Sequence, residues 1–318
     1  MFSYTDQNLA PVILFVYNRP DHTLKTLQAL YNNELSAKTT LFVFADGIKT
    51  DANENDKSNI EKVRKLIRQK AWCKEVIVIE ADKNKGLANS IIEGVTSTLE
   101  KYDKVIVLED DIITGRGFLN YMNEALIMYE NDSKVASVHA HNFPIKTKGL
   151  HTTFFLRGAD CWGWGTWKSR WSSSSLNSIS LYEGLIRKKL SFEFDLEGAY
   201  PYTAMLKDEI EGTINSWAIR WHAFNFLEDK LTLHPAKSLI RNIGLDGSGT
   251  HCRKGRGEGF RNFVDYCDVE KIDVVESKEA VRQMIKYHSQ QRFSSERRLK
   301  VFRRLMRLIR SKANFIKE

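Results

Sequence analysis

Four short apolar runs in the first 111 residues, each followed by a segment of helical spacing, constrain this chain more than any other feature. Val12 to Val16, Thr40 to Ala45, Glu75 to Glu80 and Lys104 to Leu108 are nearly continuous in β-branched and large apolar residues rather than alternating. A strand with one wet face alternates. A strand buried on both faces does not, and such strands belong to parallel sheets joined by helical crossovers. The segments Thr23 to Asn32, Lys57 to Ala71 and Leu87 to Lys101 supply those crossovers. The pattern predicts an α/β chain with a Rossmann-like βαβ sheet. Ligands of such sheets sit beyond the carboxyl ends of the strands. Each of the four runs leads directly into polar residues: Tyr17-Asn18-Arg19-Pro20-Asp21, Asp46-Gly47, Asp82 to Gly86, and Glu109-Asp110-Asp111.

The rest of the chain changes character. Thr152 to Arg157 suits a strand, and Arg157 to Trp171 is rich in Trp and Gly. A long helical stretch runs from about Tyr202 to Asp229, and Leu233 to Asn242 leads into the loop Gly244 to His251. The 318 residues, 42% hydrophobic and 28% charged, suit a folded chain and exclude wholesale disorder. Four cysteines far apart, with no C-x-x-C pair, indicate neither a disulfide framework nor a zinc knuckle. Met1 to Asn8 is polar and no apolar run reaches bilayer length, so the expected location is cytoplasmic.

The acidic triplet Glu109-Asp110-Asp111 is the sharpest chemical feature. It is either a solvated turn or a site for a hard divalent ion. Three adjacent carboxylates after a buried strand repel one another unless a cation or bound donors neutralise them, and Mg²⁺ or Mn²⁺ completes its shell with substrate phosphates. The position at the sheet edge favours the ion. No G-x-G-x-x-G follows the first strand, which disfavours a nicotinamide or flavin domain, and no G-x-x-x-x-G-K-[ST] occurs, which excludes a P-loop nucleotidase. Acidic residues in place of a glycine loop fit a nucleoside diphosphate held through a metal.

Six segments together resemble the GT-A glycosyltransferases, with bacterial family 2-type enzymes and N-acetylglucosaminyltransferase I as the most similar branches. They are Pro11 to Pro20, Ala45-Asp46-Gly47, Asn84-Lys-Gly-Leu-Ala-Asn89, Val107-Leu-Glu-Asp-Asp-Ile112, and the pair Gly163-Trp-Gly-Thr-Trp167 and Ser216-Trp-Ala-Ile-Arg-Trp221. The resemblance spans roughly Pro11 to Cys252. It implies that residues 1–276 form a GT-A domain, with a nucleotide-sugar half at about 9–112 and an acceptor half at about 113–276. Residues 277–318 then form a basic helical extension. Tyr17, Asn18 and Arg19 would line the nucleotide pocket and Asp46 would bond the base or ribose. Asn84, Gly86 and Asn89 would face the diphosphate and sugar. Glu109 would contact the donor sugar, Asp110 the ribose and Asp111 the metal, with His251 as a second metal ligand or a lid over the diphosphate.

An inverting transfer also needs a carboxylate to take the acceptor hydroxyl proton. Related enzymes carry an Asp just before the W-x-x-R helix, where this chain has Asn215 and Ser216. Helical spacing places Asp208, Glu211 and Asn215 on one face, unless Gly212 breaks the helix. Asp208 is the first candidate base, with Glu209 and Glu211 as rivals. Trp162, Trp164 and Trp167, flanked by glycines, offer faces for a sugar acceptor, with Trp217 and Arg220 beside them. The expected activity is an inverting, metal-dependent transfer of a hexose or N-acetylhexosamine from a nucleotide-sugar, UDP-linked, to a glycan hydroxyl in cell-surface polysaccharide assembly. A nucleotidyltransferase making the nucleotide-sugar, and a non-catalytic nucleotide-binding scaffold, are the alternatives.

From Arg292 to Glu318 ten lysines and arginines face two glutamates, so this segment alone accounts for the net charge of +8. A neutral body with one basic tail argues against nucleic acid as partner. Leu299, Phe302, Leu305, Met306 and Ile309 recur three or four apart among the arginines, the pattern of a cationic amphipathic helix on an anionic membrane surface. Packing on the body and RNA binding are the other readings. The tail thus implies a peripheral position on the inner face of the cell membrane.

Overall fold

The computed structural model describes residues 9–246 and 262–292. The expected βαβ half is present. Strands β1 (Val12–Val16), β2 (Thr40–Ala45), β3 (Glu75–Glu80) and β4 (Lys104–Glu109) alternate with helices α1 (Pro20–Tyr31), α2 (Glu54–Ile67) and α3 (Leu87–Leu99). Then come β5 (Ile112–Thr114), α4 (Phe118–Met128), β6 (Val135–His139), β7 (Thr153–Arg157) and β8 (Trp164–Trp167). The chain continues through α5 (Ser178–Arg187), α6 (Ser191–Phe194), α7 (Tyr202–Ile210), α8 (Trp217–Leu227), β9 (Leu231–Pro235) and β10 (Ile240–Asn242). The strands form one eight-stranded sheet in the order β3-β2-β1-β4-β8-β6-β9-β7, and β5 pairs with β10 in a second, small sheet. The first four strands are mutually parallel, whereas β8 runs antiparallel to both β4 and β6. This mixed α/β sheet flanked by helices is consistent with the Rossmann-like GT-A architecture that the resemblance implied.

The strands show no alternation because each face of the sheet has its own core. Val12, Leu14 and Val16 of β1 and Ile106 and Leu108 of β4 pack with Leu27, Leu30, Val63 and Met122 on one side. Ile13, Phe15, Val105 and Val107 pack with Ile91, Val95, Trp217 and Trp221 on the other. Successive side chains point to opposite faces, so a strand between two cores must be apolar throughout. A third cluster joins α5, α6, α7 and α8 around Leu185, Phe194, Leu206 and Ala223.

The long helix expected from Tyr202 to Asp229 is two helices. Gly212 takes φ +73° between α7 and α8, a conformation that suits glycine and closes the first helix. Ser216 then caps the second through its side-chain oxygen on the Ile219 amide. Asp208, Glu211 and Asn215 therefore do not share a helix face, contrary to the spacing argument. A further helix over residues 278–292 packs on the body through buried Ala280, Met284 and His288. The membrane-binding segment expected at 297–309 lies outside the described residues. No helix among the described residues is long and apolar enough to cross a membrane.

Candidate functional site

The ends of β1 and β4, adjacent in the sheet, bring Arg19 to the acidic triplet. Arg19 precedes Pro20, which opens α1 without wasting an amide, and its carbonyl accepts from the Thr23 amide and hydroxyl, both at 2.9 Å. With its backbone so held, its guanidinium reaches both aspartates. Nη2 bonds Asp110 Oδ1 and also Asp111 Oδ2, the latter at 2.9 Å, while Nε lies 3.4 Å from Asp110 Oδ2. The two carboxylates thus converge on one point, and a positive charge occupies it. Nη1 of the same guanidinium is buried without a hydrogen-bond partner.

One guanidinium does not balance three carboxylates. Burial, then the charges of Asp111 and Asp110, push Glu109 up to about 8. Asp110 is raised to about 6 by burial, against the opposing pull of Arg19. Burial lowers Arg19, but Asp110 and Asp111 raise it more, so it stays charged. The cluster retains an unmet demand for positive charge.

Pairing of β5 with β10 sets a roof on this cluster. Ile112 stands opposite Asn242, and the next amide, Ile243 N–H, donates to the Asp111 carbonyl at 2.9 Å. Gly244 then lies directly on the Asp111 carboxylate. A Cβ there would overlap Oδ2 and stand 2.9 Å from Asp111 Cγ and 3.0 Å from Arg19 Nη1. The segment beyond Asp246, including His251, lies outside the described residues.

Asp46 has a different task from the expected one. Its Oδ1 accepts from the amides of Gly47 and Lys85, both at 2.8 Å, and its Oδ2 from the Gly86 amide and Asn84 Nδ2, both at 3.0 Å. A carboxylate has about four acceptor positions. All are taken by the protein, which leaves no lone pair for a base or ribose. Asp46 instead moulds residues 84–86 over the end of β2. Asn84 completes the clasp by donating to the Gly47 carbonyl at 2.9 Å. Gly86, at φ +75°, opens α3, whose N-terminus has no side-chain cap. Asn89 is exposed in the first turn, with its amide bonded to the Lys85 carbonyl at 3.0 Å. Asn18 donates to Asp56 at 2.9 Å, and Tyr17 is half-buried beneath Lys49 Nζ at 5.8 Å.

On the acceptor side the structure revises several expectations. Trp164, Trp167 and Trp217 are 1%, 3% and 3% exposed, so none has a face open to a sugar. Trp164 stacks on Trp217 at 5.3 Å between centroids and sits 5.8 Å from Trp221. The flanking glycines allow neighbouring elements to close in rather than leaving the rings bare: a Cβ on Gly165 would stand 2.9 Å from the Val105 carbonyl oxygen. Trp162 alone of the three in its segment remains partly open. Arg220 is turned to Glu209, with Nε 3.6 Å from Oε1, and Ser178 Oγ donates to the same carboxylate. Glu209 is thereby engaged in tying α5, α7 and α8 together. Glu211 pairs with Lys207 at 3.6 Å on the surface, and Asp208 is exposed beside it. None of the three is brought to the acidic triplet by any contact in the described residues.

A cluster that the motifs did not point to gathers beyond β8, at the ends of β6 and β9. His139 and His141 leave the end of β6, His234 comes from β9, and Asp160 from the turn before β8. All three histidines are buried, and burial drives each down to about 3. His139 Nε2 accepts from the Trp162 amide at 3.1 Å, so Nδ1 carries the proton and faces His234 Nδ1 at 3.3 Å. Potential ligand atoms of His139, His141 and Asp160 lie within 4.8 Å of one another, the spacing of a cation site. The tautomer opposes that use, since metal on His139 Nδ1 would turn an Nε2 proton against the Trp162 N–H. The signal for this cluster was in the sequence. His139-Ala-His141 follows a buried strand, as the triplet does.

No family model and no curated protein matches this chain. Solved structures similar to it include a mannosyltransferase from Pyrobaculum calidifontis in complex with GDP-Man and Mn²⁺, at 17% identity and a TM-score of 0.32. That alignment covers 42% of this chain and 36% of the other. A nucleotide-diphospho-sugar transferase from Desulfovibrio desulfuricans G20, described as putative, aligns at 12% identity and TM-score 0.32 over 52% and 66%. TarS of S. aureus aligns at 14% and 0.37 over 75% and 37%. The chain thus spans little more than a third of the mannosyltransferase and of TarS. Likenesses this distant do not define an activity, which has to be argued from the residues of the site itself.

Proposed function

We propose that this protein is a glycosyltransferase that moves a hexose or N-acetylhexosamine from a nucleotide-sugar, UDP-linked, to a glycan hydroxyl, with inversion and with a divalent cation. The observation that carries this reading is the convergence of Asp110 and Asp111 on a single buried cation position at the carboxyl edge of a parallel sheet. The donor set is hard oxygen, carries more negative charge than Arg19 offsets, and suits Mg²⁺ or Mn²⁺. Asp111 and Asp110 would hold the ion, which when bound stabilises the charge that builds on the leaving diphosphate.

The chain's own residues support the same substrate. Arg19 Nη1, buried and unpartnered, is a ready donor to a phosphate oxygen. The first amides of α3 are uncapped and favour an anion. Glu109, the last residue of β4, would contact the donor sugar. The assembly of cell-surface polysaccharide, and docking of the basic tail on an anionic inner membrane face, remain part of the proposal on the strength of the tail's composition.

Thermal shift against a nucleotide-sugar panel with and without Mn²⁺, followed by donor turnover, tests the reading. Mn²⁺-dependent stabilisation by UDP-sugars that Asp111→Asn removes is the expected result. Nucleotide binding indifferent to EDTA, with no donor consumed, would leave a binding protein. Pyrophosphate release from a sugar 1-phosphate and UTP would make it a nucleotidyltransferase.

A further inference from the structure

A cavity of about 240 Å³ lies between the β7–β9 edge, α6, the start of α7 and residues 278–292. Asp160 is on its wall. The β4–β8 pairing directs its chain segment toward the acidic triplet. β8 runs antiparallel to β4 from Lys104–Trp167 to Val107–Trp164, and continuing that direction carries residues 160–162 alongside 109–111. The neighbouring Cys161 thiol is pushed well up by burial, with the charges of Asp160, Glu109 and Asp111 adding to it. The strand direction thus makes Asp160 the cavity carboxylate on the side of the triplet.

Its surroundings leave it free to act. Oδ1 accepts from the Cys161 amide at 2.7 Å, which fixes the side chain, and Oδ2 lies 3.8 Å from His139 Nδ1. Among the described residues no lysine or arginine pairs with it. The imidazoles around it, His141, His234 and His222, are kept neutral by burial. The side chain is 30% exposed.

The cavity also states what it prefers. Tyr202 and His222, both partly exposed and 4.6 Å apart between ring centroids, give it aromatic surface suited to the apolar face of a pyranose. Its charges are Asp160, Glu193, Glu197 and Glu276 against Arg157. Arg157 is already engaged by Glu193 at 3.5 Å and by Asp229 at 3.2 Å. An anionic guest would meet uncompensated carboxylates.

We propose that this cavity is the acceptor site, that it takes a neutral or amine-bearing saccharide in preference to a phosphorylated or uronic one, and that Asp160 is the catalytic base. The proposal rests on the glycosyltransferase reading. In the step, an Asp160 oxygen takes the proton of the acceptor hydroxyl while the acceptor's oxygen bonds the anomeric carbon. The anomeric bond to the diphosphate breaks, its electron pair leaves with the nucleoside diphosphate, and the proton then passes from Asp160 to water.

The experiment uses the full chain as wild type, Asp160→Asn, Asp160→Glu, Glu197→Gln and the cavity-filling Ile285→Trp. Transfer is measured to methyl hexosides, a methyl glucosaminide with a free amine, methyl glucuronide and a methyl hexoside 6-phosphate. Binding of the same sugars is read by saturation-transfer NMR. Asp160→Asn should lower kcat for transfer by about 10²–10⁴-fold with the nucleotide-induced thermal shift unchanged, and Asp160→Glu should recover part of it. Neutral and amine-bearing sugars should bind the wild type, anionic ones should not, Glu197→Gln should narrow that difference, and Ile285→Trp should abolish binding. Transfer by Asp160→Asn within tenfold of wild type, or sugar binding untouched by Ile285→Trp, overturns the inference while leaving the glycosyltransferase reading intact. A wild type that consumes no donor but binds sugars in the cavity overturns that reading and the base assignment together, and keeps the site.

Discussion

Gly244 lies flat against the carboxylate of Asp111, close enough that any side chain at 244 would overlap Oδ2. Asp111 is thereby held from above by a backbone that only glycine can bring so near, and from the side by Arg19. Gly244→Ala should push Asp111 off the point it shares with Asp110. The expected outcome is at least a tenfold loss of Mn²⁺-dependent nucleotide affinity, measured by calorimetry, with the circular dichroism of the sheet unchanged. Wild-type affinity would show that the roof does not position the carboxylate.

Arg19 supplies the charge that permits two buried aspartates to coexist. Removing one partner of a buried pair costs about 3–5 kcal/mol because the other charge is left unpaired. Arg19→Gln should be destabilised by an amount of that order in EDTA and substantially rescued by millimolar Mn²⁺, whereas the wild type should respond less. Denaturant midpoints with and without the metal check this. A variant whose loss is the same in both media would argue that the position does not accept an ion.

Asp46 closes the 84–86 loop through four bonds from Gly47, Asn84, Lys85 and Gly86. Asp46→Ala removes all of them and should cost about 2 kcal/mol after solvent replaces part of the loss. Amide exchange at Lys85 and Gly86 should accelerate well before that of the β1 core. A variant that weakens nucleotide binding with those amides still protected would restore the direct contact to base or ribose.

The buried histidines set the acid limit of the fold. His139, His141 and His234 sit at about 3 in the folded chain and near the ordinary imidazole value of 6.5 once unfolded. Between those values the unfolded chain binds protons that the folded chain does not, so stability falls as pH drops from about 6.5 and is unaffected above it. Each group would contribute a loss on the order of 2 kcal/mol by pH 5. Urea midpoints at pH 7 and pH 5 measure the slope, and His234→Gln should make it shallower.

Trp217 tests the corrected acceptor assignment. As part of the Trp164–Trp217–Trp221 stack it should cost about 3–5 kcal/mol on truncation to alanine. Trp217→Phe should keep acceptor KM within about threefold. A large rise in KM with stability preserved would return the ring to the acceptor side.

Local apolar pattern was enough to dictate the parallel half of the sheet and the edge at which its polar residues emerge. Val12 to Val16 and Lys104 to Glu109 are apolar at every inward and outward position between their ends, and only a strand between two cores requires that. Residues 109–111 and Arg19 come within a few positions of such strands, so local spacing was enough to place them at one edge. Only the tertiary structure decided which groups meet across long separations. That Asp46 spends its oxygens on Gly47 and residues 84–86, that Gly244 covers Asp111, and that Asp160 lies on a cavity wall beside His139 are consequences of strand order and of the β5–β10 and β4–β8 pairings. The tryptophans show the same division. A Trp between glycines reads identically in a chain whether the glycines bare the ring or let a strand and a helix press onto it, and packing chose the second.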